Sequence, residues 1–179
     1  GVETLNGDDE RACAILGAVQ NEATLKRIEE YGNGDNVVLA SRAVPMAGFD
    51  NATIRTPLIL KAQDESSYTR ELFGPISFVV PTKNTNDSLN IVEKSVKNHG
   101  AISFGIYSTS DEILDQAEDV ACRGGVAVSF NLTGGVYVNQ TAAFSDFHAT
   151  GCNPAANAAL SDTAYVSNRY RVVQSRKHI

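Results

Sequence analysis

Glu71 and Phe73 stand two residues apart in Arg70-Glu71-Leu72-Phe73-Gly74-Pro75-Ile76, just ahead of the apolar run Ser77-Phe78-Val79-Val80. Gly-Pro marks a loop, and the run behind it reads as a buried strand. A carboxylate and an aromatic ring are therefore held at the mouth of a strand. Such a pair can grip a diol through the carboxylate oxygens and pack the ring against a flat heterocycle. Residue chemistry alone describes an ordinary surface loop equally well.

Other reactive groups are few. Cys13, Cys122 and Cys152 are odd in number and widely spaced. They frame no disulfide scaffold and point to a reducing, cytoplasmic setting. Cys13 reads as a structural thiol and Cys122, among apolar helix neighbours, as core. Cys152 is the candidate exposed thiol, without a His and carboxylate to pair it. His99 suits the negative end of a helix dipole and needs no function. His148 lies in a long Gly/Asn/Thr/Ser-rich stretch, 132–154, which also holds Tyr137, Phe144 and Phe147. No Cys/His/Asp/Glu set has metal-ligand spacing, so no metal is expected. Gly124-Gly125 and Gly134-Gly135 lack the spacing of a dinucleotide fingerprint.

The positioning elements follow from periodicity. Leu25, Ile28 and Tyr31 predict a helix over 22–31, stopped by Gly32. Strands are predicted at 37–40 and 58–60, with loop between them and a polar connection over 64–69. Strand 76–80 leads to a helix opening near Asn86-Asp87, with Leu89, Val92 and Val96 on one face. Strand 102–107 precedes a helix capped by Ser110, with Asp111 and Glu112 at its positive end. Gly124-Gly125 ends that helix, and strand 126–130 closes the series. The alternation predicts an α/β fold of three layers: a mainly parallel sheet with helices on both faces. Residues 155–168 read as a helix and 170–174 as a final strand. The loop 132–154 leaves the carboxyl end of strand 126–130, where open α/β sheets bind ligands.

Composition bounds the function classes. The chain has 179 residues, which fits a single domain, and a net charge of −6. No basic stripe is available to neutralise phosphates, so nucleic acid is not an expected partner. No apolar run approaches the ~20 residues of a membrane helix, and no membrane role is expected. The first residue is Gly rather than Met, and the acidic opening does not resemble a signal peptide. The chain reads as a piece excised from a longer polypeptide.

The spelling Glu71-Leu72-Phe73-Gly74-Pro75 resembles the Glu-x-Phe-Gly-Pro signature of the aldehyde dehydrogenase superfamily. Arg123-Gly124-Gly125-Val126-Ala127-Val128-Ser129-Phe130-Asn131 is similar to that family's Gly-x-Val-x-x-Asn strand. Phe144-Ser145-Asp146-Phe147-His148-Ala149-Thr150-Gly151 is similar to its Phe-Gly-Gly-x-Lys-x-Ser-Gly segment. Phe144 and Gly151 match; Ser145 and Asp146 depart from the two glycines. The resemblance runs from near Leu16 to near Val173, about nine tenths of the chain. The Phe144–Gly151 variant with its Asn-Pro-Ala-Ala-Asn sequel resembles the phenylacetic acid degradation aldehyde dehydrogenases, which oxidise a CoA-bound semialdehyde.

The resemblance implies the C-terminal portion of a catalytic domain of the Rossmann-like α/β kind. Glu71 would hold the nicotinamide ribose of NAD or NADP, with Phe73 beside the nicotinamide. Asn131, Phe144, Phe147 and His148 would shape the pocket for a small-molecule aldehyde. The family's nucleophilic Cys, general base and dinucleotide phosphate site precede the Glu-x-Phe-Gly-Pro turn. No catalytic residue is therefore expected in this chain, which would need the remainder of the polypeptide to turn over substrate. In the intact enzyme a Cys would attack the aldehyde, hydride would pass to nicotinamide, and water or CoA would release the product. The family's C-terminal strand serves subunit assembly, so 170–174 would contribute to a homo-oligomer. The competing reading is a non-catalytic α/β binding or assembly module.

Overall fold

The computed structural model describes Gly7, Ala12 and residues 15–101, 103–133 and 175–177. Contacts divide the chain into two compact units, Gly1–Pro81 and Thr82–Ile179.

In the first unit, helix α1 (Glu22–Gly32) starts where Asn21 accepts a side-chain hydrogen bond from the Thr24 N–H at 2.9 Å. Such a cap satisfies one of the donors that every helix start leaves without an intrahelical partner. Strands β1 (Val37–Leu39), β2 (Leu58–Lys61) and β3 (Ile76–Val79) form a sheet in that order. The β1–β2 pair is antiparallel and the β2–β3 pair parallel. The parallel register sets Leu58 beside Ile76 and Leu60 beside Phe78. Leu58 and Leu60 are fully buried, whereas Ile59 between them is only partly so. This is the alternation expected of a strand with one face on the core. The connection over 64–69, expected as irregular, contains a one-turn helix, α2 (Glu65–Tyr68). Asp64 and Ser67 cap it reciprocally, a short-range device that hydrophobic periodicity does not reveal.

In the second unit, α3 (Thr85–His99) starts behind Asn84, slightly ahead of the expected opening. Strand β4 (Ser103–Ile106), helix α4 (Asp111–Gly124) and strand β5 (Ala127–Phe130) follow, and β6 (Ser175–Lys177) pairs with β5. Both ladders, β4–β5 and β5–β6, are parallel. Every residue of β5 is buried, Ser129 included, as expected of a strand covered on both faces. Ser110 caps α4 as expected, and Gly125 closes it in the left-handed region at φ 75°. The core joins Leu89 of α3, Ala117, Val120 and Ala121 of α4, and Val128 and Phe130 of β5.

The fold is thus α/β with parallel strand pairing and helices, and the described ladders fall into two three-stranded sheets. One expectation changes. Cys122 is exposed rather than core. The buried stripe of α4 runs through Ala117, Val120, Ala121 and Gly124, and Cys122 falls one residue off it. The terminal strand lies at Ser175–Lys177. The expected strand 170–174, the expected helix 155–168, Cys13 and Cys152 lie outside the described residues.

Candidate functional site

The turn that carries Glu71 and Phe73 is held by its backbone. Leu58, at the start of β2, donates its N–H to the Pro75 carbonyl at 2.8 Å, and Ile76 donates to the Gly74 carbonyl at 2.8 Å. The Arg27 guanidinium reaches across from α1 and donates to the Phe73 carbonyl at 2.5 Å. Arg70 donates to the Tyr31 hydroxyl, with its guanidinium carbon 5.5 Å from the Tyr31 ring centroid. Gly74 sits at φ +141°, and a Cβ there would lie 3.0 Å from Thr24 Cγ2. Only glycine adopts that backbone readily, so the Gly of the turn is required both by conformation and by the approach of α1.

With the main chain tied down, the side chains of the turn are left facing outward. Phe73 is 64% exposed. Glu71 is exposed, and among the described residues its carboxylate has no hydrogen-bond or ion-pair partner. A carboxylate with both oxygens open, carried on a tied backbone two residues from an open ring face, can accept from hydroxyl donors beside a flat ring. A carboxylate accepts from hydroxyl donors through charge-assisted bonds, and a ring face needs no polar partner.

Asn131, at the carboxyl end of β5, is placed differently. It adopts φ 54°, its Oδ1 accepts from the Ser108 N–H and its Nδ2 donates to the Ser108 carbonyl, each at 2.9 Å. Tyr107 donates its hydroxyl to the Leu132 carbonyl at 2.6 Å, and the Asn131 N–H reaches the Ile106 carbonyl at 2.8 Å. The Asn131 carboxamide thus clamps the exits of β4 and β5 to one another. It borders a cleft of about 510 Å³ lined also by Asp111, Asp115 and Glu118 of α4 and by Arg176 and Lys177 of β6. Phe144, Phe147 and His148 lie outside the described residues. Among the described residues no group of His, Cys, Asp and Glu could hold a metal ion, and no helix is long and apolar enough to cross a membrane.

Periodicity assigned Tyr31 to the apolar side of α1 and left Thr24 and Arg27 unremarked. These residues brace the turn, and no local signal pairs position 27 with a carbonyl 46 residues away.

No family model matches the chain. A crystal structure of an NAD-dependent aldehyde dehydrogenase from Burkholderia multivorans superposes with a TM-score of 0.75 and 49% identity, over 96% of this chain and 31% of that one. A Drosophila pseudoobscura pseudoobscura protein, named as a probable methylmalonate-semialdehyde/malonate-semialdehyde dehydrogenase (acylating), mitochondrial, is 27% identical over 96 residues. That match takes in 50% of this chain and 18% of the relative, so the chain spans well under half of either protein. The chain is thus similar, in sequence and in fold, to part of an aldehyde dehydrogenase.

Proposed function

We propose that the chain is the C-terminal portion of the catalytic domain of an NAD(P)-dependent aldehyde dehydrogenase, contributing the grip on the nicotinamide end of the cofactor. One observation carries this reading: the Glu71–Phe73 turn is fixed through its carbonyls while its carboxylate and ring stay open. The Glu71 oxygens accept from the ribose hydroxyls, and Phe73 packs beside the base. Bound NAD or NADP supplies a hydride acceptor. The residues of this turn set where that acceptor stands, and the nucleophile and base come from the remainder of the polypeptide.

In this reading residues 1–179 belong to a single domain of a cytoplasmic homo-oligomer. Its substrate is a small aldehyde, with the 132–154 segment shaping the pocket. Asn131 acts there by holding the start of the segment, because its own amide is engaged by Ser108. Phe144, Phe147 and His148 are assigned to the pocket from sequence. The narrower substrate, a CoA-linked semialdehyde of phenylacetate breakdown, rests on the Phe144–Gly151 spelling and its sequel, and neither relative's name carries it.

Glu71→Gln in the intact enzyme tests the reading. Losing charge-assisted bonds worth about 1.5–3 kcal/mol should raise the cofactor KM by roughly tenfold to a hundredfold. The unfolding temperature should stay put, as it does for an exposed side chain. A cofactor KM and kcat equal to wild type would remove Glu71 from the site.

A further inference from the structure

Three residues of α1 at i, i+3 and i+7, Thr24, Arg27 and Tyr31, meet the turn in reverse order: Thr24 against Gly74, Arg27 on Phe73, Tyr31 on Arg70. We propose that this face of α1 is a positioning platform for the cofactor grip, and that Arg27 is its central positioning residue. The inference rests on the reading of Glu71 and Phe73 given above and extends it to a helix that carries no ligand-binding group of its own.

The physical case is one of leverage. The Phe73 carbonyl belongs to the same peptide unit as the Gly74 N–H, and Gly74 is a residue whose backbone freedom is unusually wide. An untethered Phe73-Gly74 peptide could rotate and swing both the ring and the carboxylate two residues away. Arg27 is half-buried and its guanidinium is rigid, planar and permanently charged, so a bond to the carbonyl loses little freedom on forming. Thr24 closes the other side, since its methyl stands only 3.0 Å from where a Cβ of residue 74 would fall. Tyr31 and Arg70 secure the entry of the turn through a hydrogen bond and a cation–π contact. Every one of these contacts falls on main chain or on a residue flanking the pair. The platform therefore restrains Glu71 and Phe73 without occupying their binding groups.

The inference separates positioning from mere stability through a split in kinetic constants. In the intact enzyme, Arg27→Met should raise the cofactor KM by about tenfold, the loss expected of one hydrogen bond to a charged group. The aldehyde KM should stay within about twofold, within the span of a surface change. Arg27→Lys, which keeps a charge and a donor, should recover most of the loss. Lys26→Ala, on the exposed face of the same helix, should change nothing. The double change Glu71→Gln with Arg27→Met should cost less than the sum of the two single changes, because Arg27 acts in part through the carboxylate already replaced. If Arg27→Met does not fold, Arg27→Gln is held to the same criteria.

The inference is overturned by a cofactor KM within about twofold of wild type in the Arg27→Met enzyme, by equal rises in both KM values, or by full additivity in the double variant. If Glu71→Gln itself leaves the cofactor KM unchanged, the grip is misassigned and the platform falls with it. If Glu71→Gln raises that KM and Arg27→Met does not, the grip stands and the platform alone is rejected.

Discussion

The turn at Glu71–Gly74 and the strand exit at Asn131 both join a strand to a loop, and they use their polar groups in opposite ways. At the turn, the backbone is satisfied by main-chain donors and by Arg27, so the Glu71 carboxylate and Phe73 ring are left open. At the strand exit, the Asn131 carboxamide is drawn into two bonds with the Ser108 backbone, and the hydroxyl of Tyr107 into one with Leu132. One region leaves its side-chain groups without partners among the described residues; the other uses them in shaping the chain. The lesson is that an exposed polar residue beside a strand end is not thereby a binding residue. What separates the two cases is whether its polar atoms are already tied to the chain, since a tied group cannot turn toward a ligand without first breaking a bond.

The comparison can be broken most forcefully at Gly74. Gly74→Ala places a Cβ on a backbone at φ +141° and against Thr24 Cγ2 at 3.0 Å. Strain of about 1–3 kcal/mol is expected, read as a lower unfolding free energy in denaturant. The cofactor KM should rise with it. A variant as stable as wild type, with unaltered cofactor KM, would mean the turn is not rigid and the contrast is false.

Asn131→Ala probes the other side. It removes two hydrogen bonds at about 0.5–1.5 kcal/mol each and puts alanine at φ 54°, which asparagine tolerates better. Stability should fall while the cofactor KM holds, and Asn131→Gly should lie between wild type and alanine. Were the cofactor or aldehyde KM to change tenfold with stability untouched, Asn131 would be a binding group and the two regions alike.

The smallest effect concerns Glu93 on α3. Hydrogen bonds from Arg123 first, and then Lys97, lower its pKa to about 2. Arg123 donates to Glu93 Oε2 at 3.1 and 2.9 Å and thereby ties α4 to α3. A folded-state pKa below the unfolded one means the contribution is complete above the ordinary carboxylate value of 4.5 and is lost as pH falls from there toward 2. Glu93→Gln should flatten the stability profile between those limits and leave it unchanged near neutrality in slope. The exposed setting of the pair keeps the effect modest. An acid limb identical to wild type would show that the pair contributes nothing measurable.

Much of the fold is written in local pattern. The cap at Ser110, the apolar stripe of α4 and the mostly apolar strand β5 are short-range features, and each element was legible from its own residues. The turn that carries Glu71 and Phe73 ahead of strand β3 was legible too, because its Gly-Pro signal and the strand lie next to each other in the chain. Three matters were decided only by the tertiary structure. Cys122 is exposed because the helix phase, not its neighbours' polarity, sets which side it faces. The partners of each strand depend on ladders between distant segments, and these form two sheets among the described residues. The brace of Arg27 on Phe73 joins positions 46 residues apart, and nothing local in either segment encodes the meeting. Periodicity reports which face of an element is apolar. Which carbonyl a long cationic side chain reaches is fixed only when the whole chain has packed.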